Sequence, residues 1–142
     1  TAMEPVAQVA SGGEIARVML SLKAMVSGAV KLPTIIFDEI DTGVSGKIAQ
    51  KMALIMQEMG DNNRQVISIT HLPQIAAMAD YHYHIVKETD GVSTKTEITE
   101  VLGDEIVAEL ARLLGGSEIT QAVLDTAGEM KKLADKKKIE LI

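Results

Sequence analysis

Four consecutive residues near the start of the chain, Ser11, Gly12, Gly13 and Glu14, combine a hydroxyl, two bare backbone positions and a carboxylate. The serine and the glutamate have the spacing of a capping box, in which each side chain satisfies a free amide of the first helical turn. Helix stability does not explain the two glycines, because glycine is a poor helix former. They leave the N–H groups at the positive end of the helix open to an anion such as phosphate. Taken alone, such a segment is more often an ordinary capped helix than a phosphate site.

Two adjacent carboxylates, Asp38 and Glu39, follow a short apolar run that begins near Leu32. Asp38, at the carboxyl end of the predicted strand, suits Mg²⁺, which takes oxygen ligands directly or through water. One residue on, Glu39 could orient and deprotonate a water that attacks a phosphoryl group. The alternative is a solvated acidic loop that begins after a buried strand.

A lone histidine, His71, follows the next predicted strand, Gln65 to Thr70. By itself it is more often a structural histidine than a functional one. Its position after a strand next to the Asp38 strand puts it on the ligand-binding edge of an open parallel sheet. There it could hydrogen-bond a terminal phosphate.

The elements that must position these residues alternate between helix and strand. A run of apolar residues spaced by three and four predicts a helix from about Ile15 to Ala29. Thr34 to Phe37 has no alternation, which is typical of a central parallel strand covered on both faces. A second amphipathic helix ends at Gly60, and a short helix from Leu72 to Ala79 follows the Gln65 strand. Strand, helix, strand in this order implies a right-handed crossover and a parallel sheet.

The second half of the chain has a different pattern. Thr89-Asp-Gly91 is a turn signal between the runs 83–87 and 92–101 and predicts an antiparallel hairpin, in which the polar region around Thr94 to Thr99 forms an exposed edge. Two helices are predicted to close the chain, at about 104–114 and 118–137, with Gly115 and Gly116 between them. The order of these strands and helices predicts an α/β fold class. Because the sequence has no internal repeat and no linker, residues 1–142 are predicted to form one domain.

Composition restricts the function classes. The chain has 142 residues, a net charge of −6 and 46% hydrophobic residues, of which one is Phe, two are Tyr and none is Trp. The core must be aliphatic, with eight methionines as filling. The negative charge argues against a nucleic-acid-binding surface on this part alone, which would need clustered Lys and Arg. The absence of cysteine excludes disulfides, and no apolar run reaches membrane-spanning length.

The order of the motifs resembles the head of ABC-type ATPases. Ser11-Gly-Gly-Glu14, the strand with Asp38 and Glu39, Asp41 in the following loop and the strand with His71 occur in that family's order and at similar spacings. They correspond to its signature motif, Walker B motif, D-loop and switch histidine. Each one is weak alone, but four in register are specific.

Three longer segments are similar to the RecN family, bacterial double-strand-break repair proteins related to the SMC family. They are Phe37 to Gly46, Thr70 to Asp80 and Glu109 to Gly116, and with them the resemblance reaches about Leu133. Two alternatives remain: the nucleotide-binding domain of an ABC transporter, and a non-catalytic interaction module with the ABC shape. The Glu14 ending and the Leu-Leu-Gly-Gly segment disfavour a transporter, and the retained Glu39 and glycines disfavour a non-catalytic module.

The Walker A pattern, G-x-x-x-x-G-K-[ST], does not occur in the chain. Gly43 to Lys47 imitates its end, but the spacing is short and Ile48 stands where a hydroxyl must bind Mg²⁺. The resemblance therefore implies the C-terminal half of a split ATPase head. The expected partners are the N-terminal Walker A half of the same head, a second copy of the protein, and DNA in the full assembly, with no membrane.

The resemblance also implies how the site is divided. Ser11, Gly12 and Gly13 would contact the γ-phosphate of ATP held by a partner head, while Asp38, Glu39 and His71 would serve the nucleotide of their own head. ATP and Mg²⁺ are the expected cofactors of the intact protein, and this part alone is expected to bind neither. The expected location is the bacterial cytoplasm, at the nucleoid.

Three further features have structural interpretations. His82 and His84 could form a metal pair on one face of a strand, but a structural pair is favoured because no third ligand such as Cys lies nearby. Five lysines near the end could touch DNA phosphates, although a solvated helix end is favoured: Lys131, Lys132, Lys136, Lys137 and Lys138. The face that packs on the missing half should be apolar and promote self-association.

Overall fold

The computed structural model describes residues 19–24, 32–39, 43–44, 46–61 and 63–140. Of the predicted first helix, residues 19–24 are described and are helical, and Leu22 from this segment is 3% exposed and belongs to the core. The candidate residues Ser11, Gly12, Gly13, Glu14 and Asp41 lie outside the described residues.

The first layer is a pair of parallel strands joined through a helix. Strand β1 (Thr34–Asp38) pairs with β2 (Gln65–Ile69), and Ile36 lies opposite Ile67. Helix α1 (Gly46–Asp61) makes the connection between them. The predicted strand–helix–strand unit with a parallel pair is therefore confirmed.

Helix α1 supplies much of the core. Its buried face carries small and flexible apolar residues that pack with Ile35 and Phe37 of β1: Ala49, Met52, Ala53, Ile55, Met56 and Met59. Among the fully buried side chains of the described part, Met52 and Met59 are the largest on this helix. The aliphatic, methionine-rich core predicted from composition is thus what the structure shows, since unbranched thioether side chains fill irregular space beside a strand.

Among the residues that the structure describes, nothing covers the second face of β1, so the prediction that both faces are covered is wrong for this part of the chain. Ile35 is 8% exposed, whereas Ile36 is 62% exposed, and on the same face Ile67 and Ile69 of β2 are 40% and 38% exposed. Successive strand residues point to opposite faces, so the pair has one face on the core and one open face. The apolar run specifies that both faces prefer burial, but it does not specify what covers them.

A single helical turn and a hairpin follow β2. Helix α2 (Pro73–Ala76) is shorter than the predicted 72–79 segment, because Ala77 and Met78 form a turn. Strands β3 (His82–Thr89) and β4 (Thr94–Val101) pair antiparallel. Their connection is closed by Asp90, whose Oδ1 accepts hydrogen bonds of 2.8 Å from the N–H groups of Val92 and Ser93. The hairpin is confirmed, and most of its residues are exposed.

Two helices complete the chain. Helix α3 (Asp104–Gly115) and helix α4 (Gln121–Glu140) pack against each other and bury Leu110, Ala111 and Ala127. Helix α4 begins later than predicted because the side chain of Thr120 accepts a hydrogen bond from the N–H of Val123 at 3.2 Å, as an N-cap does. Among the described residues, none of the helices has the length and apolar character that a membrane span needs.

Candidate functional site at the strand ends

The carboxyl ends of β1 and β2 lie side by side and carry the described candidate residues. Asp38, the last residue of β1, is in register with Ile69, the last residue of β2, and His71 follows two residues later. Asp38, Glu39 and His71 are all exposed. The structure therefore brings these three residues to one edge of the sheet, the edge where open parallel sheets bind ligands.

Glu39 adopts a backbone conformation that is unusual for its residue type. Its φ angle is 53°, in the left-handed region, and its N–H donates a hydrogen bond to the carbonyl oxygen of Ile69 at 2.9 Å. A non-glycine residue in this region costs on the order of 1 kcal/mol, and such residues occur in turns and cluster at active sites and switch regions. The bond to Ile69 extends the contact between the strands one residue beyond their ladder, so the start of the Glu39 turn is held by β2.

His71 sits in a short segment that is internally hydrogen-bonded. The N–H of Leu72 donates to the hydroxyl of Thr70 at 3.0 Å, and the carbonyl oxygen of Leu72 accepts from Ile75 and Ala76 at 3.2 and 3.1 Å. Such a hydroxyl-closed turn restricts the backbone on both sides of the histidine. The imidazole is thus presented at the surface from a constrained turn between β2 and α2.

No group of three His, Asp or Glu side chains that could hold a metal ion occurs among the residues that the structure describes. Asp38 and Glu39 at the sheet edge are therefore not joined by a third such side chain among the described residues. A Mg²⁺ ion tolerates this, because it usually takes one or two carboxylates and completes its shell with water and phosphate oxygens. The residues present are therefore compatible with a metal that arrives with a nucleotide, rather than with a preformed metal cage.

The two histidines of β3 lie in different surroundings, one in contact with charged side chains and one buried. His84 Nδ1 lies 3.0 Å from Glu109 Oε1 and 2.6 Å from Arg112 Nη2, and Glu109 also contacts Arg112. His82 is 9% exposed and its Nε2 is buried without a hydrogen-bond partner. Burial, and secondarily the charge of Lys131, lower the pKa of His82 below its ordinary value. These contacts favour the structural interpretation of the pair, joining β3 to α3 through His84.

The basic cluster of α4 is divided between internal and exposed lysines. Lys131 Nζ lies 2.7 Å from Asp135 Oδ1, and Lys138 Nζ donates to the carbonyl oxygen of Ala79 at 3.0 Å and lies 3.4 Å from Asp80 Oδ1. These two lysines hold α4 together and attach it to the segment before β3. The other three lysines of the cluster are exposed: Lys132, Lys136 and Lys137.

The sequence is similar to RecN proteins over about nine-tenths of its length. It is 44% identical over 132 residues to the DNA repair protein RecN of Halalkalibacterium halodurans, which covers 93% of this chain and 23% of the relative. For the RecN proteins of Bacillus subtilis and Vibrio cholerae the identities are 43% over 136 residues and 38% over 128 residues, covering 96% and 90% of this chain. The chain spans 23% of the length of each of these relatives. The resemblance to the RecN family is thereby confirmed, while no family model matches the chain.

The fold is similar to that of SMC ATPases. A structure from a study of ATP-driven dimerization and DNA-stimulated activation of SMC ATPases superposes with a TM-score of 0.60 and 17% identity, over 83% of this chain and 70% of that chain. The identity is low, so the likeness concerns the fold. It confirms the predicted α/β fold class, with a parallel strand pair, an antiparallel hairpin and C-terminal helices.

Proposed function

We propose that this chain is the C-terminal part of the ATPase head of a RecN-type protein that acts in DNA double-strand-break repair and recombination. The observation that carries the proposal is the 38–44% identity to RecN proteins over about nine-tenths of the chain. The fold shared with SMC ATPases and the grouping of Asp38, Glu39 and His71 at one sheet edge support it. Residues 1–142 then form one lobe of the head, and the Walker A motif belongs to the other.

In the intact head, the described residues would act on a nucleotide bound at the ends of β1 and β2. Asp38 would hold Mg²⁺ directly or through water, and Glu39 would orient a water and take its proton. His71 would donate a hydrogen bond to the terminal phosphate. Bound Mg²⁺-ATP supplies the phosphoryl group that is transferred to water, and this chemistry depends on positioning and charge stabilisation.

The residues that lie outside the described part would complete a second, composite site. By the resemblance to ABC-type heads, the amides of Ser11, Gly12 and Gly13 would contact the γ-phosphate of ATP held by a second copy, with Glu14 closing the capping box. Asp41 would lie in the loop between the two heads. ATP would thus be sandwiched between two copies, and its binding would drive head engagement.

The remaining partners follow from the same proposal. The intact assembly would act on DNA in the bacterial cytoplasm, at the nucleoid. The net charge of −6 makes this lobe by itself a poor DNA-binding surface, so DNA contacts belong mostly to other parts of the assembly. The three exposed lysines of α4 are its best local candidates.

The test is Glu39→Gln in the full-length protein. If Glu39 is the base, ATP still binds but its hydrolysis is slowed by roughly 10²-fold or more, the range for loss of a general base. ATP-bound paired heads should then accumulate, as measured by sedimentation with and without ATP. Glu88→Gln, an exposed carboxylate on β3, is the matched control and should hydrolyse ATP normally. Normal hydrolysis by Glu39→Gln would remove Glu39 from the mechanism.

A further inference from the structure

One face of helix α4 borders a cavity of about 260 Å³ that lies beside α1 and α2. The wall of the cavity is mainly apolar and includes Leu54 of α1, Met78 after α2 and Met130 of α4. Leu133 of α4 also lines it and is 58% exposed, so the cavity reaches the surface beside this leucine. Pockets that hold drug-sized ligands measure about 300–1,000 Å³. This cavity is smaller, and its apolar wall suits an apolar side chain.

The cavity is bounded by helices that make close contacts. A Cβ atom placed on Gly46, the first residue of α1, would lie 3.0 Å from Nε2 of Gln74 in α2, so these two helices pack closely beside the cavity. Lys138 attaches α4 to the segment before β3, because its Nζ donates a hydrogen bond to the carbonyl oxygen of Ala79 at 3.0 Å. The cavity is therefore a fixed feature of how the helices pack.

The exposed rim that α4 contributes has a symmetric arrangement. It carries Glu129, Leu133 and Lys137, which all line the cavity and are exposed. Because these residues are spaced by four, they lie along one face of the helix. The carboxylate-bearing and ammonium-bearing residues are eight positions apart, about 12 Å along the axis, with the leucine midway between them. When such a face meets a copy of itself that runs in the opposite direction, opposite charges meet at both ends and the leucines meet at the centre.

We propose that this face of α4 is a contact surface for a second copy of the chain. The two α4 helices lie antiparallel across a two-fold axis, Glu129 of each copy pairs with Lys137 of the other, and Leu133 of each copy packs on the mouth of the other's cavity. Each copy carries both the protruding leucine and the cavity, as a two-fold symmetric contact requires. The charges set the direction, because a parallel alignment in the same register would place like charges opposite each other.

Both charged side chains have the capacity to make these pairs. Within its own helix, Glu129 Oε1 lies 3.9 Å from Lys132 Nζ, at the outer limit of an ion pair and in an exposed position. Lys137 is exposed at the rim. Neither residue belongs to the proposed nucleotide site. The contact therefore goes beyond the ATP-driven engagement of heads and needs no nucleotide.

The contact is expected to be weak and reversible. Stable interfaces bury at least about 1,000 Å², whereas this contact consists of one helix face and one cavity mouth. Exposed ion pairs each add little to its strength, so their main effect is to select the orientation. A test must consequently capture a transient contact at a defined position.

The test is crosslinking of the full-length protein through Leu133→Cys, without nucleotide. Residues 1–142 contain no cysteine, and any cysteine elsewhere in the protein is replaced by serine. Cysteine is a small apolar residue, so part of the packing is kept. A short bis-maleimide should join two copies at least about fivefold faster through Leu133→Cys than through Ile139→Cys, because only thiols held near the axis have a raised effective concentration. Ile139 is a matched control: it is apolar, 69% exposed and on another face of α4. Equal rates would overturn the proposal.

Charge reversal shows whether the occupant is a second copy. In the Leu133→Cys background, Glu129→Lys and Lys137→Glu each place like charges opposite one another in a pair of identical copies. Each should slow crosslinking by about three- to tenfold. In a mixture of the two variants, one of them tagged, only mixed pairs regain both attractive contacts, so mixed crosslinks should form at the parent rate. A general effect on the helix would not be restored by mixing.

Two other results would contradict the proposal. If mixed crosslinks are no faster than those between identical variants, the antiparallel contact is wrong. If the thiol introduced by Leu133→Cys is neither crosslinked nor reactive toward a monofunctional maleimide, another part of the same protein covers this face. The ATPase assignment is unaffected by each of these outcomes, because the measurement contains no nucleotide.

Discussion

Neighbouring isoleucines of β1 offer a direct test of the open sheet face. Ile35 is 8% exposed and Ile36 is 62% exposed, although they are adjacent and of the same type. Fully burying an isoleucine side chain is worth about 1.5–3 kcal/mol, so the part of Ile36 that is buried contributes about 1 kcal/mol or less. Ile35→Ala also leaves a cavity and should cost about 2–5 kcal/mol. The loss of β propensity is similar in both variants, so the difference reports burial.

The assay is urea denaturation of the chain, in which Ile35→Ala should lower the free energy of unfolding by at least about 1 kcal/mol more than Ile36→Ala. Equal losses would refute the assignment of the two faces. In the full-length protein the proposed second half of the head covers this face, so Ile36→Ala should there approach the cost of Ile35→Ala. Native-state hydrogen exchange of the β1 amides measures this local stability. An unchanged, small effect in the full-length protein would show that nothing packs on Ile36.

Three further outcomes are expected. Because burial lowers the pKa of His82 below 6.5, the unfolded chain binds that proton more readily, and stability should fall as pH drops below about 6.5, by at most about 1.4 kcal/mol per pH unit. Denaturation against pH should show a flatter profile for His82→Gln than for the parent chain. The chain should self-associate weakly at high concentration through Ile36, Ile67 and Ile69, because burying these side chains on both copies is worth about 4–8 kcal/mol, which only just offsets an association cost of at least about 4 kcal/mol. Sedimentation that shows a clean monomer would contradict this. The purified 142-residue chain should neither bind ATP tightly nor hydrolyse it, since it contains no Walker A pattern, and Mg²⁺-dependent turnover would refute that.

Element types were predictable because they depend on local patterns. The apolar period of α1, the β-branched residues of β1 and the Asp90-Gly91 turn are each encoded within a few neighbouring positions. Boundaries were less predictable, because they depend on which side chain captures a free amide. At the start of α4 the hydroxyl of Thr120 does so, and the helix begins three residues later than the pattern suggested.

The sequence of β1 did not allow us to predict which part of the protein covers each face of this strand. Thr34 to Phe37 is apolar on both sides, and this pattern is the same whether the second cover comes from the same chain or from another. The exposure of Ile36 therefore shows which face of β1 is left uncovered by the described residues, and the sequence pattern could not show this. It agrees with the proposed placement of this chain as one lobe of a larger head, which the full-length stability measurement tests.

The site was predictable in its order but not in its contacts. That Asp38 and His71 meet at one edge follows from the parallel pairing of the strands they follow. The approach of Gln74 to Gly46 could not be inferred in this way. The two residues are 28 positions apart in the sequence, and their approach depends on how closely helices α1 and α2 pack. A glycine at the first position of a helix has many possible reasons, and packing against an amide is visible only in three dimensions.

The bond from the Glu39 N–H to the Ile69 carbonyl fixes the start of the turn after β1 relative to β2. If the turn after β1 were free, the direction of the Glu39 side chain would be set by the loop alone and would vary with it. Because the bond ties this turn to the last residue of β2, the positions of Glu39 and His71 are both fixed relative to one backbone position, Ile69. The left-handed φ of 53° at Glu39 is the conformation in which this bond is made. The relative placement of the two residues is thus determined mainly by main-chain geometry.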